Sequence, residues 1–144
     1  MRSVMSLALM IVLVACVGLP TEGGDPSLAT GGSGGELLRT SATVYAPGAS
    51  GDLILNNARS HAIGYNLCTA GLERRQGGAW VSAERGDRAC TMELRLLEPG
   101  ATASFRFTLP ADLAAGEYRY STRLENMTTG SGEVHSSNTF EVRR

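Results

Sequence analysis

Ala101-Thr102-Ala103-Ser104-Phe105-Arg106-Phe107-Thr108-Leu109 alternates without a break. Ala101, Ala103, Phe105, Phe107 and Leu109 share one parity; Thr102, Ser104, Arg106 and Thr108 share the other. Successive side chains of a strand point to opposite faces, so this stretch reads as a strand with one apolar face. Working outward, Ala89 to Leu96 repeats the pattern, with Cys90, Met92, Leu94 and Leu96 against Thr91, Glu93 and Arg95. Glu117 to Glu125 does so again, with Tyr118, Tyr120, Thr122 and Leu124 on the apolar parity. Val134, Phe140 and Val142 share a parity near the end. Weaker runs are Ala42–Tyr45, Gly51–Asn56, Ala62–Leu67, Gly71–Arg75 and Ala79–Ala83.

Turn residues separate these runs. Pro47-Gly48 follows the first, Gly77-Gly78 sits between Arg75 and Trp80, and Pro99-Gly100 and Pro110 bracket the run quoted above. Two glycines between alternating segments are a hairpin signal. About seven to nine short strands with closely spaced turns and no helical period predict an all-β, antiparallel β-sandwich. Each strand has one apolar face, as in antiparallel sheets that meet the core on one side.

Leu113-Ala114-Ala115-Gly116-Glu117-Tyr118-Arg119-Tyr120 resembles the approach to the sixth strand of immunoglobulin-like domains. The resemblance implies a tyrosine corner, with Gly116 two residues before Tyr118 and the Tyr118 hydroxyl bonded to upstream backbone. Where antibody domains carry their core Cys, this chain has Tyr120, so the antibody-type disulfide is absent. The whole run from about Thr40 to Arg144 is similar to bacterial immunoglobulin-like domains of small exported proteins. It is also loosely similar to the bacillar intracellular proteinase inhibitor family. These are fold motifs and assign no active site.

The start of the chain reads as an address. Arg2 is the only charge before Glu22, and Met5 to Ala15 is apolar throughout. At ~1.5 Å per residue this run spans roughly half of a ~30 Å bilayer core, too short for a transmembrane helix and right for a signal peptide. Leu13-Val14-Ala15-Cys16 resembles the bacterial lipobox. That resemblance implies cleavage before Cys16 and a diacylglycerol on its sulfur, and two or more acyl chains anchor stably. Val17 follows Cys16, which favours the outer membrane if the host has two. Residues 17–38 are rich in Gly, Ser, Thr and Pro and read as a flexible tether with a reach of roughly 25 Å. The expected organisation is a signal peptide over 1–15, a lipidated Cys and tether over 16–39, and the sandwich over 40–144.

The chain has 144 residues, 13 basic and 14 acidic, for a net charge of −1. That length allows one domain, and the charge balance gives no case for nucleic acid. Gly totals 18, and much of it falls in the tether. GGSGG lacks the preceding strand and the Gly-Lys-Ser/Thr ending of a phosphate loop. Of three cysteines, lipidation of Cys16 leaves Cys68 and Cys90 as an even pair in an oxidising compartment, so a disulfide is expected. Cys90 lies on the apolar parity of its run, whereas Cys68 opposes Ile63, Tyr65 and Leu67. Either a bulge near Gly64 or Asn66 shifts the register or the bond lies at a sheet edge.

His61 and His135 have no neighbours at metal spacing, no G-x-S-x-G occurs, and the acidic residues mostly alternate with Arg on polar faces. No cofactor or metal is expected. Trp80 reads as a cap on the core at a strand edge. Arg85-Gly86-Asp87 spells the integrin tripeptide and reads as a chance occurrence, and the sequon at Asn126 reads as a turn. The expectation is a non-catalytic, lipid-anchored envelope protein. Its partners would be the membrane, through the anchor, and a protein or envelope polymer. A small protease inhibitor is the alternative, with Ser82–Arg88 or Met127–Gly132 as the contact loop.

Overall fold

A computed structural model describes residues 37–84 and 88–144. The signal segment, Cys16 and the Gly-rich stretch to Glu36 lie outside the described residues, as does Arg85-Gly86-Asp87. The described residues form an immunoglobulin-like β-sandwich. Its strands are β1 (Leu38–Thr40), β2 (Val44–Tyr45), β3 (Ser50–Asn56), β4 (Ile63–Tyr65), β5 (Gly71–Gln76) and β6 (Ala79–Ser82). They continue as β7 (Arg95–Leu97), β8 (Thr102–Thr108), β9 (Gly116–Asn126), β10 (Gly132–Ser136) and β11 (Phe140–Val142). Leu38 and Arg39 thus belong to β1 and not to the tether.

One sheet is three-stranded, β1-β3-β8, with β3 and β8 paired over seven residues. The other is built on β9, the longest strand. Along one side of β9 run β10 and β11; along the other run β4 and β5. β7 extends β4, and β6 extends β5 through the hairpin at Gly77-Gly78. Both hairpin glycines have positive φ, 56° and 87°, the type I′ geometry that suits the twist of paired strands. β2 runs parallel to β11, the one departure from antiparallel pairing among the described residues. Eleven strands stand where seven to nine were expected, because three strand positions are each split in two.

Two of the splits have a clear cause. Between Tyr65, opposite Leu124, and Gly71, opposite Ser121, six steps of chain cover three steps of β9. The three extra residues form a 3-10 turn, Leu67–Thr69, capped by the Asn66 side chain on the Cys68 amide. An odd insertion flips parity: Ile63 faces the core before the turn and Leu72 after it. Between β10 and β11, the Asn138 side chain accepts from the Thr40 amide at 2.7 Å, tying the break to the opposite sheet.

The core lies between the sheets. Tyr45, Phe107, Tyr118, Tyr120 and Phe140 pack with ring centroids 4.8–6.5 Å apart. Leu38, Leu53, Leu55, Ile63, Leu72, Leu97 and Val142 surround them. Cys68 and Cys90 are joined, and the bond pins Cys90 to the 3-10 turn, with its Cα 5.7 Å from that of Cys68. Residues 88–94 consequently form no strand, contrary to the alternation there. β7 begins only at Arg95, and Leu97, on the other parity, is the buried residue. Met92, Leu94 and Leu96 face solvent.

Candidate functional site

Neither histidine belongs to a catalytic or metal arrangement among the described residues. His135 Nε2 lies 3.1 Å from Arg59 and 3.3 Å from Glu133 in a surface cluster. His61 Nε2 is buried without a hydrogen-bond partner. No group of three or more His, Cys, Asp or Glu among the described residues could hold a metal ion.

Tyr118 and Gly116 form a corner that is structural. The Tyr118 hydroxyl donates to the Ala114 carbonyl at 2.7 Å, four residues upstream. Arg74 lies against Gly116, its Nε 3.2 Å from where a β-carbon would stand, and donates to the Ala115 carbonyl at 2.9 Å. Burial holds the Tyr120 phenol neutral well above the ordinary tyrosine range, as expected for a core side chain. The Met127–Gly132 turn is closed on itself. The Asn126 side chain accepts from the Thr128 and Thr129 amides at 2.8 and 3.2 Å, and the Gly130 amide bonds the Asn126 carbonyl at 2.8 Å. Such a turn does not offer the extended backbone that lies along a protease cleft.

The outer face of the β9 sheet carries the candidate surface. Its two halves differ. Around β5 and β6 the side chains answer one another: Arg119 pairs with Glu73 at 2.6 Å and Arg75 with Glu117 at 3.9 Å. Trp80 sits opposite Arg75 on this outer face, with the Arg119 and Arg75 guanidinium groups 4.4 and 5.5 Å from its ring centroid. Trp80 is therefore a platform for cations on the sheet, not a cap on the core.

The half around β4, β7 and β10 carries exposed apolar side chains on both sides of β9, whose Arg123 and Glu125 stand between them. Gly64 leaves a gap that Leu94 and Met127 fill, at 2.8 and 2.9 Å from the position of a β-carbon. Leu96 stands opposite Gly64. Val134 stands opposite Arg123, whose guanidinium lies over Gly132. Leu96, Val134 and Met92 keep 55, 70 and 94% of their surface in water. A groove of about 240 Å³ runs between Met92, Leu94, Asn66 and the Arg123 and Glu125 side chains. Clustered apolar exposure of this kind marks interaction surfaces, whereas scattered exposure does not. The sequence reading placed Met92, Leu94 and Leu96 in the core. The alternation was real, but the Cys68–Cys90 bond turns that face outward.

No family model matches the chain, and no curated protein matches it. Among solved structures, it is similar to the ASH / PapD-like domain of human CEP192, PapD-like domain 7. That similarity is 14% in identity, covers 96% of this chain and 99% of the other, and has a TM-score of 0.38.

Proposed function

We propose that this chain is a non-catalytic, lipid-anchored protein of the bacterial cell envelope, and that its sandwich is an interaction module. The observation that carries the reading is the group of exposed apolar side chains around Gly64, those of Leu94, Leu96 and Met127, on a sheet face that no other strand among the described residues covers. In the same sheet, the half around Trp80 is satisfied by its own ion pairs. A domain without a partner gains nothing from holding these apolar side chains in water, where burying each would be worth about 1–2 kcal/mol. The lipobox resemblance at Leu13-Val14-Ala15-Cys16 supports the anchor, and the Gly-rich stretch after it supports a tether that lets the domain reach its partner. The partner is a protein with a complementary apolar surface.

Placing a photoreactive side chain at Leu96, with the full chain expressed in a bacterial host, tests this. A discrete covalent adduct from position 96, absent when the probe sits at exposed Gln76, supports the reading. Equal labelling at both positions, or none at 96, contradicts it.

A further inference from the structure

Among the described residues, no strand pairs with the outer edge of β8 in the three-stranded sheet. β8 pairs with β3 alone. The Leu109 amide bonds the Ala49 carbonyl and the Asn57 amide bonds the Ala101 carbonyl, both at 2.9 Å, at the two ends of this ladder. The odd-numbered residues of β8 therefore exchange bonds with β3. Thr102, Ser104, Arg106 and Thr108 turn their N–H and C=O groups to the free edge. β8 has seven residues in unbroken register, more than any other edge strand among the described residues. Edge strands are ordinarily blunted by Pro, a bulge, an inward charge or a covering loop. β8 has no Pro, no bulge, and only Arg106 for charge, on the outward face.

Beside this edge runs a groove of about 270 Å³. It is lined by Ser104 and Phe105 of β8, by Tyr65 and Leu67, and by Ala89 and Thr91. The Cys68–Cys90 bond and the 2.7 Å bond from the Asn66 side chain to the Thr91 carbonyl hold residues 89–91 to the β9 sheet. Charge around it is unbalanced toward basic. Arg88, which donates to the Cys68 carbonyl at 3.0 Å, reaches over the Phe105 ring, with 5.9 Å from Cζ to the ring centroid; Arg95 lines the groove, and Arg106 stands on the outward face of β8. Against them are Asp52, opposite Arg106, and Glu93, 3.9 Å from Arg95.

We infer that the free edge of β8 takes an extended, acidic segment of a partner polypeptide as a fourth strand of the smaller sheet. Main-chain bonds to Thr102, Ser104, Arg106 and Thr108 supply the ladder. Apolar side chains of the segment alternate into the groove against Phe105 and Tyr65, and its acidic side chains, on the opposite face, meet Arg106. This rests on reading the domain as an interaction module and names a second contact for it, separate from the apolar face at Leu96.

The test uses the full chain and a synthetic peptide of about eight residues alternating valine and glutamate, a typical strand length. A peptide alternating valine and lysine is the control. Amide hydrogen exchange is followed at Thr102, Ser104, Arg106 and Thr108. Slowing by roughly tenfold or more with the glutamate peptide and none with the lysine peptide is expected. Ser104→Pro removes an outward N–H while leaving the β3 ladder whole, and should abolish the protection. Arg106→Glu, which leaves the backbone unchanged, should weaken it whether or not the proline variant folds. Equal protection by both peptides overturns the acidic occupant, and no protection by the glutamate peptide overturns the docking strand. A Leu96 adduct that persists without peptide protection removes this inference and leaves the interaction reading standing; loss of that adduct strikes the reading itself.

Discussion

Asn57 shows how much one polar side chain can hold. It is fully buried at the end of β3, and its side-chain amide donates to the His61 and Leu97 carbonyls, both at 2.9 Å. Its side-chain oxygen accepts from the Arg59 amide at 3.1 Å, and its own carbonyl accepts from the Gly100 amide at 2.7 Å. The residue therefore joins β3, the loop before β4, the end of β7 and the turn into β8. Asn57→Ala leaves buried carbonyls without donors, each costing about 1–3 kcal/mol. A loss of about 3 kcal/mol in urea unfolding is expected, and a change below about 1 kcal/mol would contradict this role. Nothing in the sequence marks Asn57: it follows Asn56 at the end of a weak run, and buried amides have no periodic signature. Tyr118 differs, because Gly116-Glu117-Tyr118 carries a local pattern that the hydroxyl bond to Ala114 matches.

At the level of the element, the strongly alternating stretches became strands where nothing intervened. β8 covers Thr102–Thr108 with the apolar parity inward, and β9 buries Tyr118, Tyr120, Thr122 and Leu124. The segment from Ala89 to Leu96 has the same pattern and a different outcome. Its side chains had to satisfy both the alternation and a disulfide to the 3-10 turn between β4 and β5, and periodicity does not register a cross-link. The bond closes a loop with a sequence separation of 22. In the chain-entropy model that contributes about 3 kcal/mol. The consequence is a sharp contrast between neighbours. Leu97→Ala opens a cavity in the core and should cost about 2–5 kcal/mol. Leu96→Ser should change stability by no more than about 0.5 kcal/mol. Thermal and urea unfolding of the two variants check this, and the reverse order would restore the inward reading of Leu96. The apolar patch was hidden from the sequence for the same reason: Leu94 and Leu96 looked like core until the register was known.

At the scale of the molecule, two sheets enclose an aromatic core, and among the described residues one sheet face and one long strand edge have no strand against them. Each is a feature that a small solitary domain would avoid: an apolar patch and an open strand edge both favour self-association. The fold class was legible because period-two alternation and turn residues recur along the chain. The two surfaces were not, since exposure depends on which strands become neighbours. The sense of the arrangement lies in the proposed anchor. A tether with a reach of roughly 25 Å raises the local concentration of the domain near partners on the same membrane, so modest contacts suffice. The anchor rests on Cys16, and labelled palmitate fed to a bacterial host expressing the full chain, beside Cys16→Ala, tests it most directly. The account predicts label on the wild-type chain alone. No label on either chain, or equal label on both, would contradict it.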